Sequence, residues 1–299
     1  MSVLEQKLTG KVALVTGASR GIGQAIATLF ASAGATVVVS ARSLGTPTAG
    51  ARHGEAVALP GTLNETVAII EANGGKAYAI AADLEDDAQC AELPGKAAER
   101  AGGLDILVNN AGFADYAPME SMSMDTFDRT IQHYFRAPFI LSQNAIPLMK
   151  QRGAGWIVNL GSASAQKPVR PYGSGDVTSG LGVYGAIKAG LARLTQGMAA
   201  EQQANNIAVN LVAPTGAIRT PGASGYIPSA FPGEPVEYLA AVALHLSSVP
   251  AAEQTGLVTF ALQYAKHAGL QVTTLDGKSA LPPAPEPLWA HPDVIASGL

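Results

Sequence analysis

Tyr184 and Lys188 stand four residues apart in VYGAIK, inside a stretch that reads as a helix over 183–203. Side chains at that spacing share one helix face. A phenol can donate a proton, but its reference pKa is about 10, so it needs help to act near neutrality. A neighbouring cation stabilises the phenolate and lowers that value. The lysine can also hold a dinucleotide. The pair therefore suits hydride transfer at a carbonyl or alcohol carbon, which needs a hydride donor beside the carbon and an acid beside the oxygen.

A second chemical signal lies far upstream. The segment TGASRGIG, residues 16–23, sets Gly17, Gly21 and Gly23 between an apolar strand and a helix. Gly17 permits a tight turn, Gly21 lets backbone approach a pyrophosphate, and Gly23 lets helix pack on strand. Exposed N–H groups at the helix start then meet the phosphates. The second strand ends in SAR, with Ala41 and Arg42 where an acid would favour NAD. Arg42, with Arg20 in the preceding loop, offers a rigid fork for a 2′-phosphate. These two predict NADP(H), with NAD(H) the fallback; both could equally be solvated surface arginines. Asp83, followed by Leu84, ends another strand and could accept from the adenine amino group or cap the next helix. Asn110, Ala111 and Gly112 form a small-residue edge where an adenosine ribose could lie.

The elements that must position these residues repeat regularly. Strands are predicted at 11–16, 35–41, 76–81, 105–112, 156–162 and 207–214, and helices at 21–33, 63–73, 88–101, 124–150 and 183–203. The strands are near-continuous Val, Ala, Ile and Leu, which implies cover on both faces. Such alternation predicts an α/β domain with a doubly wound parallel sheet and helices on both faces. Three segments break the rhythm: a Gly/Pro/Ala loop at 43–62, a loop at 163–182, and a Gly/Pro-rich loop at 215–233. A Pro-rich stretch, ALPPAPEPLWAHP, begins at about 280.

Composition excludes several classes. The 299 residues are 47% hydrophobic and 14% charged, unlike a disordered chain. The formal charge is −4 with no long basic run, which argues against nucleic acid. One cysteine, Cys90, rules out an intrachain disulfide and fits a reducing, cytoplasmic setting. No uninterrupted apolar stretch is long enough for a membrane span, and the first residues lack a signal-peptide shape. His53, His133, His245, His267 and His291 show no paired ligand spacing, so no metal is expected.

Over about residues 8–260 the chain resembles the short-chain dehydrogenase/reductase family. TGASRGIG, NNAG at 109–112, the serine of NLGS and Tyr-x-x-x-Lys occur in the family's order. The resemblance implies a Rossmann-type domain over 1–270, carrying the insertions and the substrate loop, with a C-terminal extension over 271–299. It implies that Gly17, Ser19, Gly21, Ile22 and Gly23 hold the cofactor, and that Ser162 orients the carbonyl oxygen. Tyr184 would be the acid in reduction and the base in oxidation. Lys188 would bind the nicotinamide ribose and lower the Tyr184 pKa. Asn210, Pro214 and Ile218 match the next strand and the loop over the nicotinamide, which also includes Gly216. A homodimer or homotetramer through helices near 124–150 and 183–203 is implied.

Several positions depart from the family. Tyr134 stands where an asparagine usually holds a water in a proton relay. His133 beside it should point elsewhere, as a surface or interface residue, and Asn144 is too far along to substitute. Ser162 and Tyr184 are 22 residues apart, longer than usual, so the 163–182 loop carries an insertion that shapes the substrate pocket. Tyr172 has Asp176 four residues on rather than a lysine, which makes it a substrate-loop aromatic; Ser164 is second to Ser162. PTGAIRT inserts Thr215 before Gly216 and sets Thr220 one place late. The stretch 255–270 lacks the usual closing glycine pair, and the extension could cross a subunit interface. The leading expectation is an NADP(H)-dependent oxidoreductase interconverting a ketone and a secondary alcohol, on a fairly hydrophobic or cyclic small molecule. A 3-ketoacyl thioester reductase, with Lys167 and Arg170 at its entrance, is the alternative within enzymes; a cofactor-binding protein with little catalysis is the alternative outside them.

Overall fold

Strands covered on both faces need a parallel sheet between two helical layers. The computed structural model of the chain describes residues 4–47, 49–52, 55–113, 115–173, 179–225, 227 and 229–299, with 49–52 and 55–58 described in backbone only. His53 and Asp176, named above, lie outside the described residues. Seven strands form one sheet in the order β5 (Lys76–Ala81), β2 (Thr36–Ala41), β1 (Val12–Thr16), β6 (Ile106–Asn109), β7 (Gly155–Leu160), β8 (Ile207–Ala213), β9 (Val258–Phe260). Every neighbouring pair is parallel, with Val15 facing Val39 on one side and Val108 on the other. Strand order reverses between β1 and β6, and ligands of such sheets bind at the carboxyl ends beside that switch.

One face carries α1 (Gly21–Ser32), α2 (Leu63–Ala72), α7 (Val236–Leu246) and α8 (Ala261–His267), with Ile26, Phe30, Leu239 and Val242 in its core. The other carries α3 (Asp87–Ala101) and α5 (Ala137–Gln151), with Leu93, Leu141, Ala145 and Met149 buried. Cys90 is fully buried there, and burial pushes its thiol up to about 12, so it is inert. The helix α6 (Gly182–Gln202) packs on β8. The short α9 (Pro292–Ser297) ends the described fold.

Local chemistry sets the helix ends. Thr62 and Glu65 close a reciprocal capping box on α2. The cap of α3 is Asp86, whose Oδ1 accepts from Ala88 and Gln89 N–H. The expected helix over 124–150 is broken. α4 (Met124–Ile131) passes through one π-helical turn at Gln132–Arg136 before α5 begins, and such turns widen a helix where a side chain is being re-aimed. The 43–62 loop also departs from expectation. It contains an antiparallel pair, β3 (Ala49–Arg52) and β4 (Glu55–Ala58), whose small residues carry little strand signal in the sequence.

Beneath the carboxyl edge lies a buried polar network. Asn109 on β6 donates to Asn159 on β7 at 2.9 Å and to Ser142 on α5 at 3.2 Å. Asn159 donates to Thr195 on α6 at 2.8 Å. Buried amides and hydroxyls must be paired, so four elements are held in one relative position.

Candidate active site

The residues of both chemical signals meet in one cleft of about 1410 Å³ across the carboxyl ends of the strands. Gly17, Ser19, Arg20, Gly21, Ile22 and Gly23 line it, as do Arg42, Leu84, Asn110, Ala111 and Gly112. So do Ser162, Tyr184, Lys188, Pro214, Gly216 and Ile218. Among the expected cofactor residues named for the glycine-rich turn and the strand ends, Asp83 lies outside this lining. Its Oδ1 accepts from Glu85 N–H at 3.0 Å within the turn, while Ala82 and Leu84 on either side face the cleft. A side chain committed to its own turn is the local-capping behaviour of aspartate.

The glycine-rich turn is shaped to admit a ligand's backbone contacts. Gly17 and Gly21 have φ of 65° and 58°, the left-handed region that favours glycine. A Cβ on Gly17 would lie 2.6 Å from Ala111 Cα and 2.9 Å from Asn110 Nδ2. Asn110 locks the turn by donating to Thr16 O at 2.8 Å and Gly17 O at 3.2 Å. Thr220 closes from the far side, since a Cβ on Gly21 would meet its side chain at 3.1 Å. The late position of Thr220 in the sequence does not keep it from the phosphate turn.

Arg20 donates to Gly61 O at 3.0 Å. Its pKa is lowered, first by burial and then by the nearby positive Arg42. Two guanidinium groups close enough to repel both line the cleft. The cradle left by Gly17 and Gly21 leaves room for a dinucleotide's phosphates.

At the reacting end, Ser162 caps the turn after β7 and its Oγ lies 2.8 Å from Ser164 Oγ. Tyr184 enters from the first turn of α6. Burial raises its pKa, opposed by hydrogen bonds from Ser162 and Tyr116. Tyr116, whose ring lies 5.0 Å from that of Tyr184, was not legible as a site residue. It sits in irregular chain after β6, where no periodicity points. Lys188 donates to Leu160 O at 2.6 Å, and burial pulls its ammonium down to about 7. Lys188 is not among the groups that lower Tyr184. Desolvation, rather than mutual charge, dominates both in this protein as it stands.

Tyr134, 7% exposed, sits in the π-turn and its hydroxyl donates to Phe113 O. Its ring meets Tyr184 edge-on at 5.0 Å, and Lys188 Nζ lies 4.3 Å from its centre. His133 corrects the expectation of a surface residue. It lines the cleft, and its Nε2 lies 3.0 Å from Glu85 Oε1. Asn144 is spent on Ile140 O at 2.8 Å. Asn210 is fully buried and structural, bonded to Gln254 O and Leu257 N–H. Tyr172 is exposed and bonded to Arg170, outside the lining.

Thr215 and Gly216 are gripped from behind. Their N–H groups donate to Glu234 at 3.1 and 3.3 Å, and burial pushes this carboxyl up to about 7. Thr215 Oγ1 accepts from Leu262 N–H at 2.9 Å, so the inserted threonine turns into the core. Among the described residues no group of three or more His, Cys, Asp and Glu is placed to hold a metal, and no helix is long and apolar enough to cross a membrane.

Comparison with known proteins agrees with this geometry. The short chain dehydrogenase family profile matches residues 11–226. An uncharacterized oxidoreductase of Thermotoga maritima is 36% identical over 69% of this chain and 71% of its own length. A hydroxynaphthalene reductase-like protein of Metarhizium robertsii is 33% identical over 78% of this chain and 79% of its own. A metagenomic short-chain oxidoreductase, solved in complex with NADP, superposes with a TM-score of 0.66 at 30% identity, over 84% of this chain and 97% of that one.

Proposed function

The chain belongs to the short chain dehydrogenase family and is an NAD(P)-dependent oxidoreductase, and from that premise we propose that it interconverts a ketone and a secondary alcohol using NADP(H), on a fairly hydrophobic, cyclic substrate. One observation carries the reading: Tyr184, hydrogen-bonded by Ser162 and followed one turn later by buried Lys188, shares a cleft with the glycine-rich turn. When bound, the nicotinamide supplies or accepts the hydride.

The protein's own residues do the rest. Ser162 Oγ holds the substrate oxygen and takes part of the charge that develops on it. Tyr184, kept protonated by burial, donates its proton to that oxygen in reduction and withdraws it in oxidation. Tyr116 holds the phenol between two hydrogen-bond partners and so fixes its direction. Lys188 would bind the nicotinamide ribose, and a positive charge there would favour the phenolate during turnover. Gly17 to Gly23, Asn110 to Gly112, Leu84, Pro214, Gly216 and Ile218 would hold the cofactor, and Arg20 with Arg42 would hold its 2′-phosphate.

The hydroxynaphthalene reductase-like relative supports a ring-bearing substrate, and the NADP complex of a structural neighbour supports the cofactor choice. The thioester alternative is less well served: Lys167 lies 3.7 Å from Asp293, and Arg170 rests on Tyr172. The exposed rings of Phe135 and Phe139 support a homodimer or tetramer through α5 and α6. The test is Tyr184→Phe. Turnover of a ketone with NADPH should fall at least about a thousandfold, as loss of an essential proton donor does, while NADPH binding is kept. An unchanged rate would remove Tyr184 from the proton transfer, and equal residual rates near zero would move the protein to the non-catalytic reading.

A further inference from the structure

The C-terminal extension does not leave the molecule. Val294 is fully buried against Leu191, Leu211 and Phe260. His291 is buried just before it, and both its ring nitrogens are used: Nδ1 accepts from Asp293 N–H at 3.1 Å, and Nε2 donates to Lys167 O at 2.8 Å. The latter bond ties the extension to the inserted loop after Ser162. The residues from Trp289 to Pro292 line the same cleft as Tyr184. A Cβ on Gly216 would lie 3.5 Å from Trp289 O, so the segment also lies against the loop at Gly216.

The Trp289 ring is held but not enclosed. Phe231 meets it edge-on, with centroids 5.7 Å apart, yet 47% of the residue is exposed. An indole braced along one side and open into a cleft offers a flat apolar surface. We propose that the segment 289–292 is a wall of the substrate site, and that Trp289, braced by Phe231, selects carbonyl compounds carrying a flat fused or aromatic ring. The inference rests on the ketone–alcohol reading and names its substrate class. Selection arises because a flat ring exchanges water for indole contact, whereas a short open-chain ketone reaches Ser162 and Tyr184 without touching Trp289.

Two ketones test it, 2-tetralone with a fused ring and 2-butanone without one. Trp289→Ala and Phe231→Ala should each lower kcat/KM for 2-tetralone about tenfold, the scale of a lost aromatic contact, and leave 2-butanone within about twofold. Circular dichroism verifies that each variant is folded. A second readout needs no turnover. The chain has two tryptophans, and Trp156, outside the cleft lining, is replaced in Trp156→Phe, leaving Trp289 as the only indole emitter. With NADP⁺ present, 2-tetralone should quench it saturably. Equal losses on both ketones, no loss on either, or turnover of 2-butanone alone would overturn the wall while leaving the ketone–alcohol reading in place. If the parent protein turns over neither ketone, that reading fails, and the Trp289 signal decides the wall by itself: saturable quenching supports it and its absence overturns it.

Discussion

Lys188 Nζ sits 4.3 Å from the centre of the Tyr134 ring. The ammonium is therefore faced by an aromatic quadrupole where the family resemblance implies an asparagine. The ring stabilises the charged form, by about 0.5–2 kcal/mol in a desolvated setting, while burial opposes it and brings Lys188 to about 7. Replacing the ring by Leu should push Lys188 lower still, by up to about one pH unit. The descending limb of the kcat–pH profile, where Lys188 loses the proton that favours the phenolate, would move to lower pH with it, and an unmoved profile would show that Tyr134 does not act on the lysine.

Tyr134 also carries packing. Tyr134→Ala should cost about 3–5 kcal/mol, the range for emptying a large buried aromatic site. Tyr134→Phe keeps the ring and loses only the hydrogen bond to Phe113 O, about 1 kcal/mol. Chemical denaturation of the three proteins checks the order.

Lys188 makes stability depend on pH in a defined window. Its pKa is depressed from 10.5 to about 7 in the fold. Between those values the unfolded chain binds the extra proton, so stability rises with pH across the window and is lost as pH falls towards 7. The effect is on the order of a few kcal/mol at most. Comparing the cofactor-free protein with Lys188→Met over this range isolates it, because only the parent should show the slope.

Glu234 has the opposite sign. Its pKa is raised from 4.5 to about 7, so the native state holds the proton longer than the unfolded chain does. Its contribution is present below 4.5 and is lost as pH rises through 7. Glu234→Gln should therefore be less sensitive than the parent between pH 4.5 and 7, and should gain relative stability at pH 8. Parallel thermal melts across that range read the difference.

Arg42→Ala should weaken NADPH binding by about 10–100-fold, the worth of charge-assisted hydrogen bonds to a phosphate, and leave NADH within about twofold. Nicotinamide fluorescence titrations give both numbers. Equal losses for the two cofactors would remove the phosphate assignment and keep the enzyme.

Much of this was readable in advance, for physical reasons that differ by region. The strands from β1 to β8 were legible because doubly covered strands must be apolar throughout, and the turn after β1 because only glycine serves there. Tyr184 and Lys188 were legible because four residues on a helix fix a shared face. What escaped depends on contacts between distant parts of the chain. Tyr116 reaches Tyr184 from irregular chain, His133 is drawn in by Glu85 48 residues away, and Trp289 arrives from the far end. At Asp83 the sequence left adenine binding and local capping both open, and its turn uses one carboxylate oxygen for the latter.

The buried network of Asn109, Asn159, Ser142 and Thr195 has a practical consequence. It works like a jig, clamping the supports of Asn110, Ser162 and Tyr184 from below. The segments that would choose the substrate, at 163–173 and 289–292, lie outside that clamp. Selectivity can therefore be rebuilt from above without disturbing the alignment of the reacting groups. Asn159→Leu should do the reverse, blunting every reaction the enzyme performs whatever substrate is supplied.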